Sequence, residues 1–129
     1  MPRHNINSGT SWEALAGYSR AVRVGDQVFV SGTTAHDAQG QLHGGDDAYA
    51  QAMYILSKIR LSLEQAGASI QDVVRTRVYV VRLDDWRAVA RAHGEVFGQI
   101  RPANTLVQVA GLVEGGPLVE IEADAVIQR

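Results

Sequence analysis

Near the end of the chain, apolar and acidic residues alternate strictly from Val119 to Ala125. In an extended strand this spacing puts four apolar side chains on one face and three carboxylates on the other. The carboxylates are Glu120, Glu122 and Asp124. The apolar face must pack against a core, whereas the acidic face requires water, arginines or a ligand, because burying an unpaired charge is costly. We therefore predict a sheet with one buried and one polar face, and we expect the function on the polar face.

A second strand is predicted from Val73 to Val81, which is dense in valine and also contains Thr76 and Tyr79. Arg75 and Arg77 project from it with a period of two. If they share a face with the three carboxylates, opposite charges pair across the strands. We therefore predict that Arg75 or Arg77 lies within salt-bridge reach of Glu122 or Asp124. A mixed polar and apolar face also suits a subunit interface with clefts, which indicates a symmetric oligomer.

The remaining elements follow from periodicity and turn signals. The first dozen residues are polar and predict a loose arm. Residues 18–24 and 28–32 predict a hairpin around Gly25, and a further short strand is expected before the first helix. Apolar residues three and four apart predict a helix from Asp46 or Asp47 to Gly67.

A second helix is predicted to begin at Asp84 and to end before Pro102. Its apolar stripe is expected to comprise Trp86, Val89, Ala90, His93, Phe97 and Ile100. The resulting order predicts an α+β domain spanning residues 1–129, with a six-stranded mixed sheet and two helices on one face.

Composition excludes several function classes. The net charge of -2 provides no excess of positive charge to neutralise a phosphate backbone, which weighs against nucleic acid as a partner. The absence of cysteine excludes disulfides, thiolate metal sites and thiol catalysis, and it fits a cytoplasmic location. The histidines lack metal-ligand spacing, so no metal is expected. No apolar run approaches the roughly 20 residues of a membrane helix.

Several segments, in this order and spacing, resemble the YjgF/RidA family (Rid, reactive intermediate deaminase) over nearly the whole chain. They are Gly17-Tyr-Ser-Arg-Ala-Val-Arg-Val-Gly, Val30-Ser-Gly, Ala66-Gly-Ala-Ser, Asp72-Val-Val-Arg-Thr-Arg-Val-Tyr-Val, Arg101-Pro-Ala and Val119-Glu-Ile-Glu-Ala. The resemblance implies a chorismate-mutase-like fold and a homotrimer with small-molecule ligand clefts between subunits. It also implies hydrolysis of reactive enamines and imines without a cofactor, as in a 2-iminobutanoate/2-iminopropanoate deaminase.

The resemblance also implies which residues form the site. Glu120 matches the glutamate associated with the hydrolytic water, which a carboxylate can polarise for attack on a C=N carbon. Tyr18, Ser31 and the adjacent Gly32 match positions that line the cleft, and Thr105 follows the position of a substrate-binding arginine. These residues are expected to contact the ligand.

The chain departs from the family pattern at one functional position. Deaminating members carry an arginine after Pro-Ala that clamps the substrate carboxylate, and this chain has Asn104 there. Asparagine can donate and accept hydrogen bonds but carries no charge. Arg20 and Arg101 are the two candidates to replace the guanidinium.

Three functions therefore remain open. The first is a hydrolase of small imines, enamines or related carbonyl compounds, in which Glu120 positions water. The second is a non-catalytic trimer that binds a small ligand after losing the arginine clamp. The third is RNA cleavage, an activity associated with the family's older naming, against which the net charge of -2 weighs.

Overall fold

The computed structural model describes residues 2–129, and one six-stranded sheet organises them. The sheet order is β1-β2-β3-β6-β4-β5, in which β4 and β5 pair in parallel and all other neighbours are antiparallel. The elements, in chain order, are β1 (Arg3–Ile6), α1 (Ser11–Ala16), β2 (Ala21–Val24), β3 (Gln27–Thr33), α2 (Ala48–Gln65), β4 (Val73–Val80), α3 (Trp86–Phe97), β5 (Ala103–Gln108) and β6 (Val119–Val126).

Helices α2 and α3 cover the apolar face of the sheet, which confirms the predicted α+β architecture. Asp47 caps α2 by accepting a hydrogen bond from the Ala50 amide at 3.2 Å, so the helix begins where the sequence indicated. As predicted, the alternation in β6 gives this strand one buried face and one polar face. Its apolar residues are buried against α2, while Glu120, Glu122 and Asp124 are half-buried on the opposite face. None of the described helices is both long and apolar enough to span a bilayer.

The prediction for the N-terminal residues was wrong. Instead of a loose arm, residues 3–6 form edge strand β1, which pairs with β2, and residues 11–16 form helix α1. The sixth strand therefore lies before the hairpin and not directly before α2, where the structure has only an isolated bridge between His36 and Leu42. A polar segment can be ordered in this way because β2 offers it a row of backbone partners.

The predicted stripe of α3 was also partly wrong. Val89, Ala92 and Phe97 are buried, whereas Trp86 and Ala90 are exposed. The helix ends at Phe97, and Ile100 lies beyond it in a turn whose amide donates to the Phe97 carbonyl at 3.0 Å. A stripe inferred from spacing alone assumes one buried direction. In the structure α3 packs mainly against α2 and contacts the sheet through His93, whose Nε2 lies 2.8 Å from Thr76 Oγ1, and this arrangement decides which side chains are covered.

On the polar face, Arg77 lies between two carboxylates of β6. Its Nη1 is 3.3 Å from Glu122 Oε2 and 3.2 Å from Asp124 Oδ2, which confirms the predicted cross-strand pairing. The Tyr79 hydroxyl also donates to Glu122. Arg75, although in register with Asp124, forms no ion pair among the described residues. Two of the three carboxylates are therefore held by β4, and only Glu120 remains without such a partner.

Candidate active site

Glu120 lies beside a cavity of about 210 Å³ at the end of strand β3. Residues from five segments line it: Thr10, Trp12, Leu15, Ala16, Tyr18, Arg20, Gly32, Thr34, Lys58, Val113 and Glu120. Most of the wall is apolar, and the charged groups are confined to Arg20, Lys58 and Glu120. This composition is typical of a small-molecule site, in which apolar walls provide affinity and a few polar groups fix orientation.

Glu120 accepts no hydrogen bond from the other described side chains, and its environment disfavours the ionised form. Burial raises the pKa of the Glu120 carboxyl, the Arg20 cation lowers it by less, and the Glu122 charge raises it again. A raised pKa makes the carboxylate a stronger base than an ordinary glutamate, which favours general acid–base catalysis. Of the three carboxylates of β6, Glu120 is the one free to perform chemistry.

Strand β3 makes room for Glu120 through an irregularity and a glycine. The register between β3 and β6 shifts between Val30 and Thr33, which marks a bulge. Within it, a Cβ atom on Gly32 would lie 2.0 Å from Glu120 Oε2 and 3.0 Å from its Cδ. Only glycine therefore allows the carboxylate to occupy this position. The hydroxyl of the neighbouring Ser31 donates a hydrogen bond to the Ser19 carbonyl at 2.7 Å. Ser31 does not line the cavity.

Arg20 is the cation that the fold brings to Glu120. The side chain is only 4% exposed, its Nη2 donates to the Gly32 carbonyl, and its Nε is buried without a partner among the described residues. Burial lowers the pKa of the Arg20 guanidinium, while Tyr18, Glu13 and Glu120 oppose this effect. A buried guanidinium with an unused donor stabilises negative charge in its vicinity, whether on Glu120 or on a ligand.

Tyr18 reaches the cavity because helix α1 ends directly before it. Gly17 adopts the left-handed conformation (φ 76°), and both its amide and that of Tyr18 donate to the Glu13 carbonyl. The Tyr18 ring is 37% exposed, and its centroid lies 5.8 Å from the Arg20 guanidinium carbon. The ring therefore forms a wall next to the cation, and its remaining surface is open to a ligand.

The structure separates Asn104 from this cavity. Asn104 is in register with Thr76, on the helix-covered face of the sheet, and its Nδ2 donates to Thr76 Oγ1 at 2.9 Å. That hydroxyl also contacts His93 Nε2 at 2.8 Å. Glu120 lies on the opposite face and two strands away. Within one chain, Asn104 and Glu120 cannot contact the same small molecule.

The other two predicted contacts also lie outside the cavity. Thr105 pairs with Arg77 on edge strand β5, on the face of Glu120 but with β4 between them. Arg101 is exposed, has a positive φ of 56°, and donates from Nε to the Gly98 carbonyl at 3.1 Å. Of the two arginines proposed to replace the guanidinium, Arg20 is therefore the one that reaches Glu120 within a chain.

Two parts of the cavity were not anticipated. Helix α1 contributes Trp12 and Leu15, and its signal was the Thr10-Ser-Trp-Glu13 pattern, which is typical of a capped helix start. The Glu13 carboxylate accepts hydrogen bonds from the Thr10 hydroxyl at 2.7 Å and the Ser8 amide at 3.1 Å. Burial raises the pKa of Glu13, but these hydrogen bonds and Arg20 outweigh it and lower the pKa overall.

Lys58, on α2, is the second unanticipated residue. It is the chain's single lysine, against eleven arginines, and that rarity was the available signal. Its Nζ donates to the carbonyls of Thr34 at 2.9 Å and His36 at 2.5 Å.

Glu120 also borders a second cavity, of about 310 Å³, on the polar face. Gly32 and Glu120 are common to both cavities. The second is completed by Tyr79, Glu122, Val109, Gly111 and Leu112. A ligand or water molecule can therefore approach the carboxylate from two sides. Within residues 2–129, no cluster of three or more His, Asp or Glu side chains is arranged to hold a metal ion.

Comparison with known proteins is consistent with this architecture. The family model described as endoribonuclease L-PSP matches residues 9–127. The crystal structure of Rv2704 from Mycobacterium tuberculosis, described as a member of the YjgF/YER057c/UK114 family, is 46% identical with a TM-score of 0.88, and the match covers 98% of this chain and 100% of that chain.

Two curated relatives also match over nearly their full length. Uncharacterised protein SCO2049 of Streptomyces coelicolor is 38% identical over 120 residues, which is 93% of this chain and 89% of that protein. The 3-aminoacrylate deaminase RutC of Acinetobacter baylyi is 33% identical over 125 residues, which is 97% of this chain and 98% of that protein. With a family model and full-length relatives in agreement, the chain belongs to the YjgF/RidA family.

Proposed function

We propose that this protein hydrolyses small imines, enamines or related carbonyl compounds, and that Glu120 positions and activates the attacking water. The observation that carries this proposal is the Glu120 carboxylate itself, which has a raised pKa, lies beside Arg20 and borders a mostly apolar cavity. The deaminase name of the relative from Acinetobacter baylyi supports the same reaction class.

The proposed reaction needs one group that both accepts and donates a proton. Glu120 takes a proton from water as the water oxygen attacks the C=N carbon and returns it to the nitrogen, which gives a neutral carbinolamine. Glu120 then takes the proton of the carbinolamine hydroxyl and delivers it to the same nitrogen, so that the C–N bond breaks to release ammonia and leave a carbonyl product. Burial raises the pKa of Glu120, which makes the carboxylate a stronger base for the first transfer. Arg20 stabilises the carboxylate form between these steps.

The experiment that tests this function is ammonia release from freshly generated 3-aminoacrylate or 2-iminopropanoate. We expect release faster than the spontaneous reaction in buffer but slow, because both compounds carry a carboxylate and Asn104 offers it no positive charge. Binding of such compounds without turnover would instead favour a ligand-binding protein that has lost the arginine clamp.

The absence of cysteine fits a reducing compartment, and we propose that the protein works in the cytoplasm.

We further propose that the protein assembles as a homotrimer with clefts between its subunits. Three features support this assembly: the half-buried charged face of β4 and β6, the exposed edge strand β5, and the apolar side chains of Leu15 (85% exposed) and Val113 (45% exposed) at the cavity. An interface would cover this apolar surface.

For the assembly we expect light scattering to give a mass of about 42 kDa, which is three times the chain mass of 13.9 kDa. The measurement should be repeated over a wide range of protein concentrations, because an obligate trimer keeps this mass on dilution. A stable mass near that of one chain would contradict the proposal.

The trimer bears on Asn104, which can approach a Glu120 only in a neighbouring subunit. We predict that Asn104→Arg increases turnover of carboxylate-bearing imines, because a guanidinium would pair with the substrate carboxylate. Hydrogen bonds to charged groups are worth about 1.5–3 kcal/mol, so a bidentate clamp corresponds to a gain on the order of 10²-fold. The measurement is kcat/KM for ammonia release.

Asn104→Gln is the matched control, because it keeps the amide without adding charge, and we expect no gain from it. Full turnover by the unmodified protein would contradict the need for this clamp unless Arg20 supplies the charge. If the unmodified protein shows full turnover, Arg20→Ala and Arg101→Ala test whether either arginine supplies the charge. Arg20 lines the cavity and Arg101 does not, so only Arg20→Ala should lower turnover.

A further inference from the structure

Lys58 differs in type from every other basic residue of the chain, and with Arg20 it is one of the two that line the cavity. It is the only lysine, and its side chain runs from α2 into the cavity that contains Arg20 and Glu120. An amine, unlike a guanidinium, becomes a nucleophile when it loses a proton. A lone lysine in a cavity suited to C=N and C=O compounds therefore raises the question of covalent chemistry.

The contacts of Lys58 leave one position on its nitrogen open to the cavity. Nζ donates two hydrogen bonds, to the backbone carbonyls of Thr34 and His36, and within residues 2–129 no carboxylate forms a salt bridge with it. The remaining position on Nζ, a third N–H in the ammonium and a lone pair in the neutral amine, is left for the cavity that the side chain lines.

The charges around Lys58 also favour the neutral form. Burial and the Arg20 cation lower the pKa of the Lys58 amine to about 8, against the opposing effects of Glu13 on α1 and Asp37 in the β3–α2 loop. His36, which accepts through its carbonyl, is itself held neutral, because burial and Lys58 lower the pKa of its ring. Desolvation and a neighbouring cation are the two means by which proteins activate a lysine as a nucleophile.

We propose that Lys58 is a nucleophilic residue that forms a covalent imine with carbonyl and imine ligands in this cavity. With an imine substrate, Nζ attacks the C=N carbon to give a geminal diamine. Both Nζ protons pass to the original nitrogen, one on addition and one on elimination, and the bond between that nitrogen and carbon breaks to release ammonia. The resulting lysyl imine then takes up water at the same carbon, and its breakdown frees the carbonyl product and the amine. A ketone or aldehyde forms the same lysyl imine with loss of water.

This inference rests on the proposed function for its substrate class, and it makes the lysyl imine, in place of the substrate imine, the species that the Glu120-activated water attacks. Attack of water on the lysyl imine requires a base, and Glu120 borders the same cavity. Burial and Arg20 lower the pKa of the Lys58 amine to about 8, so that a fraction of it is neutral near neutral pH, and Arg20 also stabilises the Glu120 carboxylate during hydrolysis.

Reductive trapping tests the proposal on the intact protein. The full chain is incubated with pyruvate, a small 2-keto acid, reduced with borohydride, and analysed by intact mass and peptide mapping. We expect a near-stoichiometric reduced adduct on the peptide that contains Lys58. Its yield should increase as the pH increases through about 8, because only the neutral amine attacks. The chain's other amine, at the N-terminus, lies on a different peptide and serves as the internal control.

Two variants separate nucleophilic attack from charge and packing. Lys58→Arg keeps the cation and the hydrogen-bond donors, and Lys58→Met keeps most of the volume. We expect both variants to lose the adduct and the ammonia release. Activity retained in Lys58→Arg would show that the residue contributes charge and not a nucleophile, and would overturn the proposal. Loss of folding in either variant would leave the trapping of the unmodified protein as the deciding measurement.

The outcomes also separate this inference from the proposed function. Ammonia release by the unmodified protein without an adduct at Lys58 would overturn the nucleophile and leave the hydrolase intact. An adduct at Lys58 without ammonia release would support the nucleophile and overturn the hydrolase. An adduct confined to the N-terminal amine would overturn the role of Lys58.

Discussion

Replacing Glu120 by glutamine should abolish hydrolysis of imines while the protein remains folded. Glutamine is nearly isosteric with glutamate but cannot accept a proton from water, and loss of a general acid–base typically costs about 10²–10⁴-fold in rate. The measurement is kcat for ammonia release. The free energy of unfolding should not decrease, because the charge of Glu120 does not stabilise the fold. Its pKa is raised in the folded protein, so any stabilisation exists at low pH and is lost as the pH rises through that pKa.

Glu122→Gln is the matched control for Glu120→Gln. Glu122 lies two residues along the same strand and on the same face, but it is held by Arg77 and the Tyr79 hydroxyl. We expect this variant to retain most of the activity and to lose some stability. Equal losses of activity in Glu120→Gln and Glu122→Gln would contradict the assigned role of Glu120.

The rate of the unmodified protein should decrease on acidification at a pH above the ordinary range of glutamate, because burial raises the pKa of Glu120.

Gly32→Ala should produce the second largest effect, again on activity more than on stability. The added Cβ would lie 2.0 Å from Glu120 Oε2, so the carboxylate must move. Because that atom is the end of a flexible side chain, it can rotate away with little disturbance of the backbone. A displacement of about 1 Å of a catalytic group can cost about 10²-fold in rate. We expect kcat to fall by this order while the melting temperature changes little.

The control for Gly32→Ala is a glycine whose Cβ would meet empty space. Gly94 lies within α3 and has a helical backbone, and a Cβ atom added there would meet no atom within 4 Å beyond its own stretch of helix. Gly94→Ala should therefore stabilise the helix and leave the rate unchanged. Activity retained in Gly32→Ala would show that the carboxylate can work from another position. A large loss of stability in Gly32→Ala would show that the bulge itself, and not only Glu120, depends on glycine.

The sequence predicted most of the sheet because its signals are local. Strict alternation in β6 indicated which residues are buried, and the same period in β4 predicted the pairing of Arg77 with Glu122 and Asp124. The three-and-four spacing between Asp47 and Gly67 predicted α2. Each of these patterns repeats within one element, so neighbouring residues carry the whole signal.

For the N-terminal segment, prediction from local patterns was wrong. Strand β1 is short, polar and stabilised by its partner β2, so its composition resembles that of a loop. Helix α1 has only six residues, too few for a repeating stripe, and is maintained by the contacts of Glu13 with Ser8 and Thr10. Short elements depend on tertiary contacts because isolated helices of this length are unstable in water.

The sequence by itself determined the α+β class, the polar face of the sheet and the resemblance that led to Glu120. Only the tertiary structure decided which distant residues share the cavity: Arg20 and Lys58 meet Glu120 there, whereas Asn104 and Thr105 do not. The reason is that the position of a cavity depends on strand order and register. With β3 beside β6, the bulge at Gly32 opens onto Glu120, and β4 separates both from β5. No local pattern encodes this long-range pairing.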